Sequence, residues 1–457
     1  MNIDSLTQQS GGAVLLPGSQ EYEDMRRCWN TSIDLHPSII VVATSPADVQ
    51  AAVRFASTHP MKVLVQSTGH GATSQTGDYL MVVTTRMNRI AVDAGARTVR
   101  IEAGAVWGEV LKESQRHGLA PLLGSSGTVG VVGYTLGGGI GWLSRAYGLA
   151  VDSVLSLDVV TADGALVRAS SRENPDLFWA LCGGCGGFGI VTSVEMQLHP
   201  VTTVWGGSLT YPVADAVELF ARYREWTGSL AEAMTSSIAI VNFPDAKEVP
   251  AKLRGTSAVV IHGCFCGPVD AGNALTAQWT EWRQPLANTF AEMSFSDVAS
   301  ISKDPVHPVP AFGTGGDVFM DLSEDAIAVL VRYASTNAVT HGAKSPFLQT
   351  EIRHVDSHAV REPPVPNSIG VRDARYLLHV VAGAPTPESI AELRRYAGAF
   401  KQELRPYTSR GLFLSFADSA EALRADNGLA PETISRLRAI KEKLDARDMF
   451  LSAHPIP

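Results

Sequence analysis

The sequence predicts an α+β protein in two parts, and three observations point to it. Short helix-like and strand-like patterns alternate through the first 200 residues. That same stretch holds three glycine clusters. Near Pro200 the clusters stop, and longer helices with alternating strands begin, which predicts an antiparallel sheet covered by helices. At 457 residues, 45 % apolar and 18 % charged, the chain is globular and long enough for two or three domains.

In the first part, Ser45 followed by Pro46 and Asp48 marks a helix start. Val49, Ala52, Val53 and Ala56 then recur at the spacing of one buried face, and His59-Pro60 ends the helix. Val63–Val65, Leu80–Thr84 and Thr98–Glu102 read as strands, and Val106–Arg116 as a helix. Val154–Thr161 and Ala165–Ala169 flank the turn signal Ala162-Asp163-Gly164. Ile190–Leu198 is a further strand. A domain boundary is expected near residue 203. Beyond it, Ser257–His262 and Gln349–Val355 read as strands, and Ser323 caps a helix carrying Ile327, Leu330, Val331 and Ala334 on one face. Asp304–Gly316 and Glu362–Gly370 read as Pro/Gly-rich loops. A last helix, Pro431–Leu444, precedes an irregular tail.

The net charge of −9 argues against nucleic-acid or anionic-membrane partners. No apolar run has bilayer length, and Met1–Gly11 lacks the pattern of a secretory signal. Five cysteines, an odd and small number, predict no disulfide framework and a cytoplasmic setting. Cys182-Gly-Gly-Cys185 and Cys264-Phe-Cys266 have no second ligand pair at zinc spacing, so no metal is expected. A P-loop is absent, and Gly137–Gly141 lacks the strand–helix context of a Rossmann fingerprint.

The glycine clusters need another explanation. Ser67-Thr68-Gly69-His70-Gly71 directly follows the Val63–Val65 strand, a tight turn whose free N–H groups can bind phosphate without lysine. Gly124–Gly141 is too rich in glycine for a stable helix and suits backbone that must approach something closely. Gly183–Gly189 is the third cluster. One cluster could be a turn; three in one domain point to a bound cofactor.

The order of these motifs resembles the vanillyl-alcohol oxidase superfamily, in the branch of berberine-bridge-enzyme-like FAD oxidoreductases. Thr68-Gly69-His70-Gly71 matches the family's Gly-Gly-His loop, and Gly130 to Leu149 followed by Asp152 matches its longest motif. Asn174–Trp179, Gly183-Gly184 and Phe188–Thr192 match the next, and Leu437–Ile456 resembles the C-terminal return to the flavin domain. The resemblance implies a two-part PCMH-type FAD-binding domain, residues 1–203 and 405–457, around a substrate domain of residues 204–404. It also implies FAD bonded through His70. The other residues it places at the cofactor are Ser67, Thr68, Gly69 and Gly71 of the first loop, and Ser126, Thr128, Val129 and Gly130 before the long motif. Gly133, Tyr134, Gly137, Gly138, Gly139, Gly141 and Trp142 follow within it, with Gly189, Ile190 and Val191 after the third cluster and His454 in the tail. Many relatives carry a second link from a cysteine, which aligns with Ser126 here; a hydroxyl is too weak a nucleophile for that role, so a single link is expected.

Two tyrosines used as bases by relatives are replaced, by Ile140 and within Phe413–Phe416. The base is therefore sought in the middle domain, where Glu351 and Arg353 share one face of a strand with Gln349; His354 and His379 are expected on neighbouring or opposite faces. Tyr147 is a further candidate. The implied reaction takes hydride from a CH–OH or CH–NH group of a small molecule, with electrons leaving to molecular oxygen or another acceptor. Two alternatives stand beside it: a non-covalent flavin reductase using NAD(P)H, and a flavin-binding relative that has lost its base. Substrate and oligomeric state are left open by the sequence.

Overall fold

A computed structural model describes residues 3–456, except 185, 248, 250, 252, 337–338, 341–342 and 418–428. Its N-terminal part holds two small sheets. In the first, Ala13–Leu15, Ile39–Val42, Tyr79–Val83 and Lys62–Gln66 lie side by side, the last three parallel. Ile39–Val42 and Tyr79–Val83 are unbroken apolar runs buried on both faces, as parallel strands require. The helix Pro46–Thr58 packs on this sheet. Asp48 fixes its start by accepting the backbone N–H groups of Thr44 (2.8 Å), Ser45 (3.0 Å) and Gly11 (2.6 Å). The second sheet is antiparallel, in the order Ile90–Asp93, Thr98–Glu102, Ile190–Gln197, Val154–Val160, Leu166–Ser170.

The glycine-rich ribbon packs on the second sheet. It departs from the sequence expectation in carrying a short helix, Val131–Leu136, and a second, Ser144–Tyr147, follows just beyond it. Val131, Leu136 and Leu143 are buried in the domain core, and packing outweighs the poor local propensity.

An eight-stranded antiparallel sheet starts at Thr203. Its order is Ala287–Asn288, Thr203–Pro212, Ser257–Phe265, Met234–Asn242, Gln349–His354, Tyr376–Gly383, Ala311–Phe319, with Ala291–Ser294 also paired to Thr203–Pro212. One face, including Ile238, Ile352 and Leu378, packs on the helices Ala216–Thr227, Glu324–Ala334 and Pro387–Leu404 through Phe220, Leu330 and Phe400. Alternation sends Thr235, Ser237, Glu351, Arg353 and His379 to the other face, toward the glycine ribbon. The strand Ala311–Phe319 occupies part of a stretch read from the sequence as loop. Its glycines are accommodated by a bulge between Gly315 and Val318, where Gly316 takes φ +79°.

After the helix Pro431–Leu444 the chain returns to the first sheet. Val63 donates to Met449 O and Leu451 donates to Val63 O, both at 2.8 Å. Among the described residues, no helix is long and apolar enough to cross a membrane.

Candidate functional site

The loop after Lys62–Gln66 carries His70. Gly69 takes φ +77°, and a Cβ there would stand 2.7 Å from Cys28 Cα, so only glycine lets the loop press against this neighbour. The His70 imidazole is held on both nitrogens: Nδ1 lies 2.8 Å from Thr68 Oγ1 and Nε2 3.2 Å from Thr128 Oγ1, which is 2.9 Å from Ser126 Oγ. Burial pushes its pKa down to about 4, so the ring is neutral at neutral pH. Trp29 stacks on its face.

The ribbon supplies the opposite wall. A Cβ on Gly130 would sit 3.1 Å from Ser67 Oγ, joining the two motifs. Val129 O accepts from Trp107 N (3.0 Å), and Gly137 O accepts from Ser415 Oγ (2.6 Å). Gly138 (φ +106°) faces Ile369 and Phe413, and Gly139 (φ +70°) faces the Tyr134 ring. At Gly141 a Cβ would stand 1.8 Å from Leu123 O. Gly71 and Gly133 have nothing within 4 Å of that position, so their backbone is open to an incoming group.

A cavity separates ribbon from sheet. Ile140, Gly141 and Trp142 line it on one side, and Thr235, Ser237, Glu351 and Arg353 on the other. Glu351 is 3 % exposed. Burial alone would raise its pKa, but the Arg353 guanidinium (Nε to Oε2, 2.9 Å) and His379 (Nδ1 to Oε2, 3.4 Å) outweigh that and hold it well below the carboxylate range. His379 lies directly opposite Glu351 in register and therefore shares its face. His354 projects the other way, toward Tyr376 and Asp356. Phe416 lies against both His379 (4.4 Å between ring centroids) and Arg353 (5.0 Å).

Other candidates lie elsewhere. Tyr147 packs on His199, 4.2 Å between ring centroids, and does not line the cavity. Gly189, Ile190 and Val191 open a strand beside Val159 and Val160. His454 lies in the tail, its N–H donated to Ser452 Oγ at 3.2 Å. Cys182 is buried, and Cys185 lies outside the described residues.

Several residues were not singled out from the sequence. Arg145, 3 % exposed, donates to Ala231 O (2.9 Å), to Met234 O and to Asp356 Oδ1 (2.8 Å), fastening the ribbon to the sheet domain. Arg372 grips Asp152 with two hydrogen bonds, 2.9 and 2.6 Å, and Asn367 adds a third at 2.9 Å. The run Thr235-Ser236-Ser237 in an otherwise apolar strand was a visible signal for the polar cavity wall.

Residues 37–170 match the FAD binding domain family. The chain is 28 % identical over 455 residues to an FAD-linked oxidoreductase of Bacillus subtilis, covering 98 % of this chain and 97 % of that one. It is 26 % identical over 460 residues to (R)-6-hydroxynicotine oxidase of Paenarthrobacter nicotinovorans, covering 96 % and 95 %. Among solved structures, Physcomitrella patens BBE-like 1 superposes with a TM-score of 0.86 over 100 % of this chain and 99 % of that one, at 20 % identity. Fold and motif together define a PCMH-type FAD-binding fold. The chain carries an FAD binding domain over residues 37–170 and is an FAD-dependent oxidoreductase.

The residues present fit that cofactor. Ser67 Oγ, Tyr134 Oη and Trp142 Nε1 are buried polar atoms without a hydrogen-bond partner among the described residues, and all three lie on or beside the glycine cradle.

Proposed function

We propose that this oxidoreductase oxidises a CH–OH or CH–NH group of a small organic molecule, with FAD bonded once, through His70. The observation that carries the reading is the single cavity joining Ile140–Trp142 of the flavin motif to Glu351 and Arg353. When bound, the flavin supplies a two-electron acceptor for substrate hydride and passes the electrons to dioxygen, giving hydrogen peroxide, or to another acceptor.

The chain's own residues do the rest. Neutral His70, held by Thr68 and Thr128, is a competent nucleophile for the flavin 8α carbon: the new bond would replace a C–H bond there, the proton leaving and the electron pair passing through the flavin to dioxygen, and Ser126 makes no second bond. Backbone N–H groups of the 67–71 loop and the 126–142 ribbon cradle phosphates and ring. Glu351, kept ionised by Arg353, accepts the substrate O–H or N–H proton, and His379, 3.4 Å away, is placed to take it onward. The four described cysteines are free, in keeping with work in the reducing cytoplasm.

Acid precipitation of the purified protein tests the reading. Yellow colour in the pellet, with an FAD-sized mass increment, is expected. Colour in the supernatant would remove the covalent bond and favour the reductase alternative. Stable yellow protein that no alcohol or amine bleaches without oxygen would favour a relative that binds flavin without turnover.

A further inference from the structure

The cavity between ribbon and sheet has an uneven stock of charge. Only two of its lining side chains are ionised at neutral pH, Glu351 and Arg353; His354, at its edge, is driven by burial down to about 4 and stays neutral. Glu351 Oε2 is committed to Arg353 Nε and faces His379 Nδ1, which leaves Oε1 to act as base. The guanidinium keeps more of its valence free. Arg353 gives the protein only its Nε–H; Nη1 and Nη2 have no hydrogen-bond partner among the described residues. The side chain is 19 % exposed, so these donors reach free space in an otherwise closed setting.

Two more donors line the same cavity without an acceptor. Thr235 Oγ1 and Trp142 Nε1 are both buried and have no hydrogen-bond partner among the described residues. Ser237 stands directly opposite Arg353 in register and adds a hydroxyl. Two charged groups outside the lining act on its neighbours: Asp304 favours the charged form of Arg353, and Asp304 and Lys303 push His262 in opposite directions. Arg353 therefore sets the sign of what the cavity accepts.

An ammonium entering this space would lose its water beside a guanidinium and have only Glu351 Oε1 to pair with, which is costly in a buried site. A carboxylate would meet a planar two-pronged donor of matching geometry. Bound flavin would claim Trp142 Nε1 as well, which leaves the Arg353 Nη groups, Thr235 and Ser237 for the substrate.

We propose that Arg353 determines specificity, and that the substrate is an alcohol carrying a carboxylate or a similarly acceptor-rich oxygen group rather than an amine cation. This rests on the reading above and narrows it from CH–OH or CH–NH to the first. The test is a pair of probes matched in size and opposite in charge, benzoate and benzylammonium, titrated into the purified flavin-loaded protein. Binding is followed by the flavin absorbance change and by calorimetry. Benzoate is expected to bind at least about tenfold more tightly. Arg353→Gln should remove that preference, and Arg353→Lys should keep part of it. Equal or tighter binding of benzylammonium, no detectable binding of benzoate, or a preference that survives in folded Arg353→Gln overturns the proposal. If Arg353→Gln does not fold, the wild-type preference and the lysine variant decide. The readout is binding, so its failure in a protein whose flavin an alcohol or amine still bleaches leaves the oxidation itself standing. A purified protein with no flavin would sink the reading beneath it.

Discussion

The indole of Trp29 lies flat against the imidazole of His70, with ring centroids 4.2 Å apart and planes 17° from parallel. The platform is itself fixed from both sides. Trp29 N donates to Thr68 O (2.8 Å), and Asn30 exchanges hydrogen bonds with the backbone of Ala311 (2.9 and 3.0 Å) in the large sheet. His70 is thus oriented by a segment that belongs to neither glycine motif.

From this follows a prediction about cofactor attachment. His70→Ala should abolish the FAD-sized mass increment while non-covalent flavin is still bound. Trp29→Leu should slow attachment by about two- to tenfold, the worth of one aromatic stack, and Trp29→Phe should recover most of it. Intact mass after timed reconstitution with FAD reads all three; full-speed attachment in Trp29→Leu would remove the platform's role.

The glycines of the ribbon divide by what surrounds them. Gly141→Ala would drive a methyl group into Leu123 O, a backbone atom that cannot swing away. It should cost about 1–3 kcal/mol or more and lower the thermal midpoint of the apoprotein. Gly133→Ala meets nothing within 4 Å and sits in the helix Val131–Leu136, where alanine is favoured by up to about 1 kcal/mol. The apoprotein should keep its stability there, so any loss of FAD retention by Gly133→Ala would report close approach of the cofactor.

What the sequence disclosed follows the same division. The Pro46–Thr58 helix and the strand before His70 rest on local periodicity, and the structure has them within a residue of the sequence reading. The ribbon helix Val131–Leu136 and the Ala311–Phe319 strand depend on distant partners, and local propensity pointed elsewhere. At the site, alternation was enough to put Glu351 and Arg353 on one face. That His379 joins them depends on the register of Tyr376–Gly383, which no short-range pattern encodes. Arg145 and the Asp152–Arg372 pair were hidden for the same reason: their partners lie 211 and 220 residues away.

The Arg145 contact makes a prediction about acid and about stability. Arg145→Ala leaves Asp356 and three carbonyls without their donor and should cost about 3 kcal/mol, seen as a lower denaturation midpoint. Burial alone would raise the pKa of Asp356; hydrogen bonding to His354 and the nearby Arg145 bring it to about 2. A carboxyl depressed in the folded state contributes stability that is complete above its unfolded pKa, near 4, and is lost as pH falls through about 2. The wild type should therefore lose part of its stability over that acid window, and Asp356→Asn should lack that part of the dependence. An identical acid profile in both would detach Asp356 from the effect.

Glu351 gives the sharpest test of the chemistry. It lies inside the cavity, is ionised throughout the neutral range, and has His379 as an onward proton acceptor. Replacement by glutamine keeps the shape and removes the ability to take a proton. Anaerobic flavin reduction by a turnover substrate should slow about 10²–10⁴-fold, as loss of a general base does. Substrate affinity should change far less, because the guanidinium remains. The carboxylate is held low by Arg353, so the wild-type reduction rate should stay flat from neutral pH down to the ordinary carboxylate range, near 4. His379→Ala should preserve the flavin and slow reduction less than Glu351→Gln, since it removes the relay and leaves the base. Stopped-flow absorbance of the flavin measures each rate directly. Unchanged reduction in Glu351→Gln would strike this residue from the mechanism and leave His379 as the group to examine as base.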